Sequence, residues 1–202
     1  MGPVDHPAPR DAFASPRFGQ VATFMLLPMA ASAEGLDVAL LGIPYDGGSS
    51  YRPGARFGPR AVREQSSLIR PWHPVLKVLP FERLRVADCG DVDVAPISIE
   101  RTYAAIERRV AEIVEQGAVP VSVGGDHSVT LPILRVLARR HGPVGLVHFD
   151  AHPDTWDEYF GSKFFHGTPF RRAVEEGLLD PRRMIQVGIR GPLYAADDFA
   201  FH

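Results

Sequence analysis

The sequence has 202 residues, 45% of them hydrophobic and 23% charged, with a formal net charge of -2. This length allows one α/β domain with a sizeable core. The small charge gives no electrostatic reason to expect a nucleic-acid partner, and no apolar run approaches the ~20 residues that span a bilayer. A single cysteine, Cys89, excludes an internal disulfide, and the N-terminal residues lack a secretory signal pattern, so we expect a cytoplasmic protein.

The pattern along the chain predicts alternating strands and helices. Residues 1–20 are rich in proline and predict a loosely held N-terminal arm, and residues 21–202 then form one domain. Strands are predicted at 37–43, 84–87, 118–123, 144–149 and 184–188. Helices are predicted to begin near Pro59 and to cover 101–116, 129–140 and 170–177. The alternation predicts a mainly parallel sheet with helices on both faces, in which ligands bind at the carboxyl ends of the strands.

The first cluster of metal-capable residues follows the predicted strand at 118–123. The sequence there is GGDHS, residues 124–128, and two glycines permit an unusual turn at the strand end. His127 then lies at the junction with the next helix, where its ring can point into the crevice. Asp126 is a candidate partner for orienting that ring, because ligating histidines usually donate their other N–H to such a group.

The second cluster follows the predicted strand at 144–149 and reads HFDAHPDTWD, residues 148–157. Asp150, His152 and Asp154 occupy alternate positions, so an extended backbone would place them on one face. Such groups at the mouth of a sheet are costly to bury without a partner, and a metal ion is a natural one. Carboxylate and imidazole ligands without thiolate favour manganese(II) over structural zinc. A bridging Asp150 would allow two ions, with a water between them that becomes a hydroxide nucleophile.

Two further features have less direct interpretations. His166 lies in the loop FFHGTPF soon after the metal cluster, and a histidine there could pass a proton to a leaving amine. Asp91 and Asp93, in GDVDVAP, could be mistaken for another metal pair, but we interpret them as part of a polar turn after a strand.

Together these motifs resemble the ureohydrolase family of arginases and agmatinases. GGDHS, HFDAHPDTWD and HGTPF carry the resemblance, and PYDGGSSYRPGARFGPRAVRE is similar to the agmatinase branch, which includes guanidinobutyrase, guanidinopropionase and proclavaminate amidinohydrolase. The resemblance implies a three-layer α/β/α fold, two manganese ions, and hydrolysis of a small cationic guanidino substrate to urea and an amine. It implies His127, Asp150 and Asp154 around one ion, Asp150 and His152 at the other, and His166 as the proton-handling residue. Agmatine is the default substrate, and trimers or hexamers are common in the family.

The resemblance is incomplete at the C-terminal end. Family members carry a later S-x-D-x-D-x-x-D-P motif that completes both metal sites, and this sequence does not contain it. We therefore expect an N-terminal portion of one arginase-like domain, with an incomplete second metal site and little activity of its own. Alternatives are a guanidino-acid hydrolase, an inactive relative that binds metal weakly, and a single-zinc deacetylase of related fold.

Overall fold

The computed structural model describes residues 8–194, 198 and 201 and divides the chain into two compact units. Unit 1 contains the described parts of Met1–Pro44, Gly54–Asp93 and Arg108–Gly125. Unit 2 contains the described parts of Tyr45–Pro53, Val94–Glu107 and Asp126–His202. The proposed division into an arm over 1–20 and one domain over 21–202 stays a prediction.

Strands and helices alternate along the chain, and the predicted α/β class is confirmed. The strands are β1 (Val38–Ile43), β2 (Val86–Asp91), β3 (Val119–Gly124), β4 (Val144–Phe149) and β5 (Leu179–Val187). The α-helices are α1 (Gly58–Ser66), α2 (Pro80–Arg83), α3 (Ile99–Glu115), α4 (Thr130–His141) and α5 (Pro169–Glu175). Short 3-10 helices lie at Phe24–Leu26, Ala55–Phe57 and His127–Val129. Within the described ranges, no helix has the length and apolar character needed to cross a membrane.

Unit 1 is built on a parallel sheet in the order β2-β1-β3. The central strand β1 is buried at every residue after Val38, as expected for a strand with a neighbour on each side. Its hydrophobic core brings together Phe24, Leu27, Leu40 and Val86. Helix α1 begins at Gly58 with Pro59 in its first turn, as the sequence predicted.

The prediction of a strand at 84–87 was wrong in its bounds, because β2 continues to Asp91. The sequence suggested a polar turn around Asp91, but Arg63 pairs with the acidic residues of this strand and so stabilises them there. Its guanidinium binds the Asp88 carboxylate at two points, Nε to Oδ2 at 2.7 Å and Nη2 to Oδ1 at 2.9 Å. It also donates to Asp91 Oδ1 at 2.6 Å. Asp88 is therefore buried as a paired charge, and Asp91 binds an arginine.

Unit 2 contains the parallel pair β4 and β5. Its core is made of side chains from α3, α4, α5 and β5, namely Tyr103, Leu131, Leu134, Phe170, Ala173 and Leu179. The strand predicted at 184–188 begins earlier than expected, at Leu179. Leu179 pairs with Val144 and Met184 pairs with Leu146, so the register of β5 against β4 shifts between these pairs. Pro181 lies between these pairs, where regular pairing is interrupted and a residue without an N–H is tolerated.

Candidate metal centre

The candidate centre lies in unit 2, where three chain segments end or turn. Strand β4 ends at Phe149, and Asp150 follows it directly. His127 opens the 3-10 helix that leads into α4. Asp126 caps that short helix by accepting from the Ser128 N–H at 2.8 Å. The cap fixes the start of the short helix at His127.

Four side chains converge at this point: His127, His148, Asp150 and Asp154. One potential ligand atom from each lies within 4.8 Å of all the others. His127 Nδ1 is 2.5 Å from Asp154 Oδ2 and 3.8 Å from Asp150 Oδ2. His148 Nε2 is 3.4 Å from Asp150 Oδ2. The group contains oxygen and imidazole donors only, the chemistry that suits manganese and similar ions.

The segment from Asp150 to Asp154 is not the regular extended run that the alternate spacing predicted. Asp150 Oδ1 accepts from the His152 N–H at 2.8 Å, which bends the chain. Asp154 adopts a positive φ of 52°, a conformation that Asp tolerates better than most residues. The bend turns Asp154 toward His127 and leaves the His152 side chain 60% exposed.

His152 therefore lies at the edge of the cluster. Its Nδ1 is 3.5 Å from Asp150 Oδ1, whereas His127 and His148 approach Oδ2 of the same carboxylate. The structure thus brings together three of the four residues predicted as ligands. The role of all four predicted residues as metal ligands stays a prediction.

His148 was missed as a candidate in the sequence. It stands two residues before Asp150, so the alternation of a strand places both side chains on the same face of β4. Its side chain is buried. The alternation that selected Asp150, His152 and Asp154 therefore also signals His148 when it is extended back into the strand.

The charges of the cluster shift the pKa values of its members. Burial lowers the pKa of His127, but the hydrogen bond with Asp154 and the nearby carboxylates outweigh it and leave the pKa raised. Burial and the neighbouring His127 charge lower the pKa of His148. Burial raises the pKa of Asp150, but the His152 N–H and the two histidines hold it below its usual value. The carboxylates of Asp154 and Asp150 therefore favour the protonated form of His127.

Phe170 of α5 packs against the imidazole rings of His127 and His148. Its ring centroid lies 5.4 Å from that of His127 and 4.4 Å from that of His148. Phe170 is itself almost fully buried in the core of unit 2. The packing of α5 thus restricts the rotamers of both histidines.

His166 lies in a loop held against Tyr45–Pro53. Its Nε2 is 2.8 Å from Ser50 Oγ, and its backbone N–H donates to Gly48 O at 3.0 Å. Asp126 Oδ2 accepts from the Gly48 N–H at 2.8 Å. Asp126 thus accepts hydrogen bonds from Gly48 and from its own short helix. Among the described residues, none of its hydrogen bonds is with the His127 ring, so its role in orienting that ring stays a prediction.

A cavity of about 340 Å³ joins His166 to the edge of the metal cluster. Asp154, His152 and Ser50 contribute its polar walls. Aromatic side chains also line it: Trp156, Tyr159, Phe165 and Tyr194. The cavity therefore places an acidic group, a histidine and a set of aromatic faces around one space.

Comparison with known proteins identifies the family. Residues 36–202 match the arginase family model, and the chain belongs to the arginase family. It is 52% identical over 198 residues to the guanidinopropionase of Pseudomonas aeruginosa, which covers 98% of this chain and 62% of the relative. It is 49% identical over 181 residues to the mitochondrial agmatinase of Gallus gallus, covering 90% of this chain and 53% of the relative.

Solved structures of related enzymes are also similar to this chain. The proclavaminate amidinohydrolase of Streptomyces clavuligerus superposes with a TM-score of 0.87 at 40% identity, over 93% of this chain and 63% of that one. A Trypanosoma cruzi formiminoglutamase solved with Mn²⁺ gives a TM-score of 0.77 at 27% identity, over 89% and 61%. The chain spans less than two thirds of the length of each of these proteins.

Proposed function

We propose that this protein hydrolyses a linear guanidino compound to urea and an amine at a manganese centre. The observation that carries the proposal is the convergence of His127, Asp150 and Asp154 beside a cavity that also contains His166. Membership of the arginase family supports it.

The donor atoms fit manganese. His127, Asp150 and Asp154 would hold one ion, since their ligand atoms already lie together. Asp150 and His152 would contribute to a second ion, because the two Asp150 oxygens face different partners, His127 on one side and His152 on the other. When bound, manganese lowers the pKa of a coordinated water and supplies a nucleophile that the weakly electrophilic guanidinium requires.

The cavity suits a cationic substrate with an apolar chain. A guanidinium can lie over an aromatic face such as that of Trp156 or Tyr159, where it is attracted by the ring electrons. Asp154 adds a negative charge to the lining of the cavity. The same aromatic walls can contact the methylene groups of the substrate.

His166 is the proposed proton donor to the leaving amine. Its ring lines the cavity, and Ser50 holds Nε2 through a hydroxyl that can either donate or accept. The contact therefore persists in both protonation states of the ring, which is what a group that gives and regains a proton requires.

Agmatine is the default substrate within this proposal. Guanidino acids are the second candidate, because the relative at 52% identity is a guanidinopropionase while the one at 49% is an agmatinase. The difference between these identities is too small to choose between an amine and a carboxylate at the far end of the substrate.

The proposal extends to location and assembly. The single cysteine favours a reducing compartment such as the cytoplasm, although the chicken agmatinase is a mitochondrial protein. A homo-oligomer, trimer or hexamer, is the proposed assembly by family resemblance, and light scattering of the purified protein measures its mass.

The test combines metal binding with substrate turnover. The protein is loaded with Mn²⁺ and given agmatine, 4-guanidinobutyrate, 3-guanidinopropionate or arginine, with Asp154→Asn as the control. Manganese-dependent urea release that the variant lacks supports the proposed function and contradicts the expectation of low activity. Manganese binding that a guanidino compound perturbs, without urea release, supports both the site and that expectation. Absence of manganese binding, or equal behaviour of the variant, contradicts the proposed function.

A further inference from the structure

We propose that His148, although it lies among the metal-capable groups, is not a ligand but a positioning residue. In this inference Gln186 of β5 fixes the orientation of the His148 ring. The hydrogen of that ring then lies on Nε2 of His148 and is directed at the Asp150 carboxylate. This inference rests on the proposed function of Asp150 as a metal ligand and adds two residues to the site.

The orientation of the Gln186 side chain follows from its two neighbours. The amide nitrogen, Nε2, is 2.8 Å from the Pro153 carbonyl oxygen and 2.9 Å from His148 Nδ1. A carbonyl oxygen only accepts, so the NH₂ group of the amide, and not its oxygen, must face Pro153. The opposite orientation would place two oxygens against each other. The same NH₂ group has a second hydrogen, which it donates to His148 Nδ1.

The His148 tautomer follows from that second bond. If Nδ1 accepts a hydrogen bond, its lone pair is used and the neutral ring carries its hydrogen on Nε2. Nε2 is buried and, among the described residues, meets no partner at full hydrogen-bond geometry. It lies 3.4 Å from Asp150 Oδ2, toward which its N–H can be attracted.

A ring nitrogen that carries a hydrogen has no lone pair for a metal ion. For His148 to become a ligand through Nε2, the hydrogen would have to move to Nδ1 and face the hydrogens of the Gln186 amide. That change would remove a hydrogen bond inside a buried site, because the His148 side chain is only 6% exposed. Phe170, packed 4.4 Å away, also opposes rotation of the ring.

The consequence concerns Asp150. A carboxylate that bridges two ions must present its two oxygens in fixed directions, and groups behind a ligand commonly hold it there. The His152 N–H already fixes Oδ1 at 2.8 Å. His148, held by Gln186, supplies the corresponding constraint near Oδ2. Gln186 thus connects strand β5 to the orientation of Asp150, the proposed ligand that directly follows β4.

The direct test is the His148 tautomer, read from the two-bond ¹H–¹⁵N correlations of the histidine rings. Spectra are recorded for the metal-free protein and after addition of Zn²⁺, a diamagnetic probe. The expected result is hydrogen on Nε2 of His148 in both spectra, while the His127 signals shift with zinc. Hydrogen on Nδ1, or a metal-bound Nε2 at His148, overturns the proposal.

Variants provide a second readout that is independent of activity. His148→Gln keeps an N–H donor near Asp150, so Mn²⁺ affinity should stay within a few-fold of the parent, whereas His127→Gln should lose far more. Gln186→Ala should weaken Mn²⁺ binding by about 10–100-fold, with Gln65→Ala as the matched control on α1. Equal losses for His148→Gln and His127→Gln, or no effect of Gln186→Ala in a folded protein, contradict the proposal.

The tautomer measurement also separates this inference from the proposed function. If the parent protein binds no Mn²⁺, the proposed function fails, yet the metal-free spectrum still decides whether Gln186 fixes the His148 ring.

Discussion

His127 is the residue that connects the candidate metal centre to pH. Its raised pKa arises because Asp154 and Asp150 favour the protonated ring over the cost of burial. A proton on Nδ1 blocks coordination at that atom, so Mn²⁺ affinity should increase with pH until the pH exceeds the raised pKa. Isothermal titration at several pH values checks this, and affinity that is independent of pH would contradict it.

Asp154→Asn should lower the pKa of His127, because the substitution removes the closest carboxylate while leaving the shape of the side chain. An NMR titration of the metal-free protein measures the change, and Asp157→Asn, farther along the same segment, is the control. An unchanged His127 pKa in Asp154→Asn would mean that the short contact between these residues does not determine its protonation.

The pKa shifts of His127 and Asp150 predict how the stability of the metal-free protein depends on pH. A raised His127 pKa stabilises the fold fully below the unfolded value of about 6.5, and this contribution is lost as pH rises through the folded value. The lowered Asp150 pKa stabilises above about 3.9 and is lost as pH falls through its folded value. Both contributions are present between about pH 4 and 6.5.

His166 should have no effect on metal binding. It lines the cavity and is held by Ser50, outside the group of potential ligand atoms. His166→Asn should therefore bind Mn²⁺ like the parent in a calorimetric titration. A loss of affinity of tenfold or more would make His166 part of the metal centre and would remove it as a proton donor.

At the scale of elements, α5 supports the site through Phe170. The side chain is 1% exposed and contacts both imidazoles. Phe170→Ala should cost about 3–5 kcal/mol of unfolding free energy, because it leaves a cavity in a packed core. Phe160→Ala is the control, since Phe160 is 88% exposed. Urea unfolding measures both, and similar small losses would show that α5 does not brace the histidines.

Helix α1 and strand β2 depend on the Arg63 contact in a similar way. Arg63→Ala leaves the fully buried Asp88 without its partner and should cost about 3–5 kcal/mol. Arg60→Ala, on the same helix, removes an exposed ion pair with Glu64 and should cost at most about 1 kcal/mol. Equal values in urea unfolding would contradict this account of why β2 extends to Asp91.

Much of the architecture could be predicted from the pattern of each element, and the exceptions depend on contacts with residues distant in sequence. β1 and β4 form apolar runs that end at recognisable turn residues, so their positions follow from the pattern. β2 extends past Ala87 because Arg63, distant in sequence, pairs with Asp88. β5 begins at Leu179 because this residue pairs with Val144, before a register shift that includes Pro181. Neither long-range pairing is visible in a local pattern.

For the molecule as a whole, the residues of the candidate site could be predicted better than their arrangement in space. The motifs identified the arginase family and three residues that the structure brings together. The positive φ at Asp154 and the turn at Asp150 could not be read from alternate spacing, and they move His152 to the edge. Gln186, 33 residues from Pro153, carries no metal-binding signature of its own.

The central claim is that His127, Asp150 and Asp154 form a metal site in this chain. Calorimetric titration of the metal-free protein with Mn²⁺, beside Asp150→Asn, tests it most directly. The account predicts about one tightly bound ion per chain, and for the variant a loss beyond the ~10–100-fold typical of a residue behind the ligands. Equal binding by both proteins, or binding by neither, would contradict it.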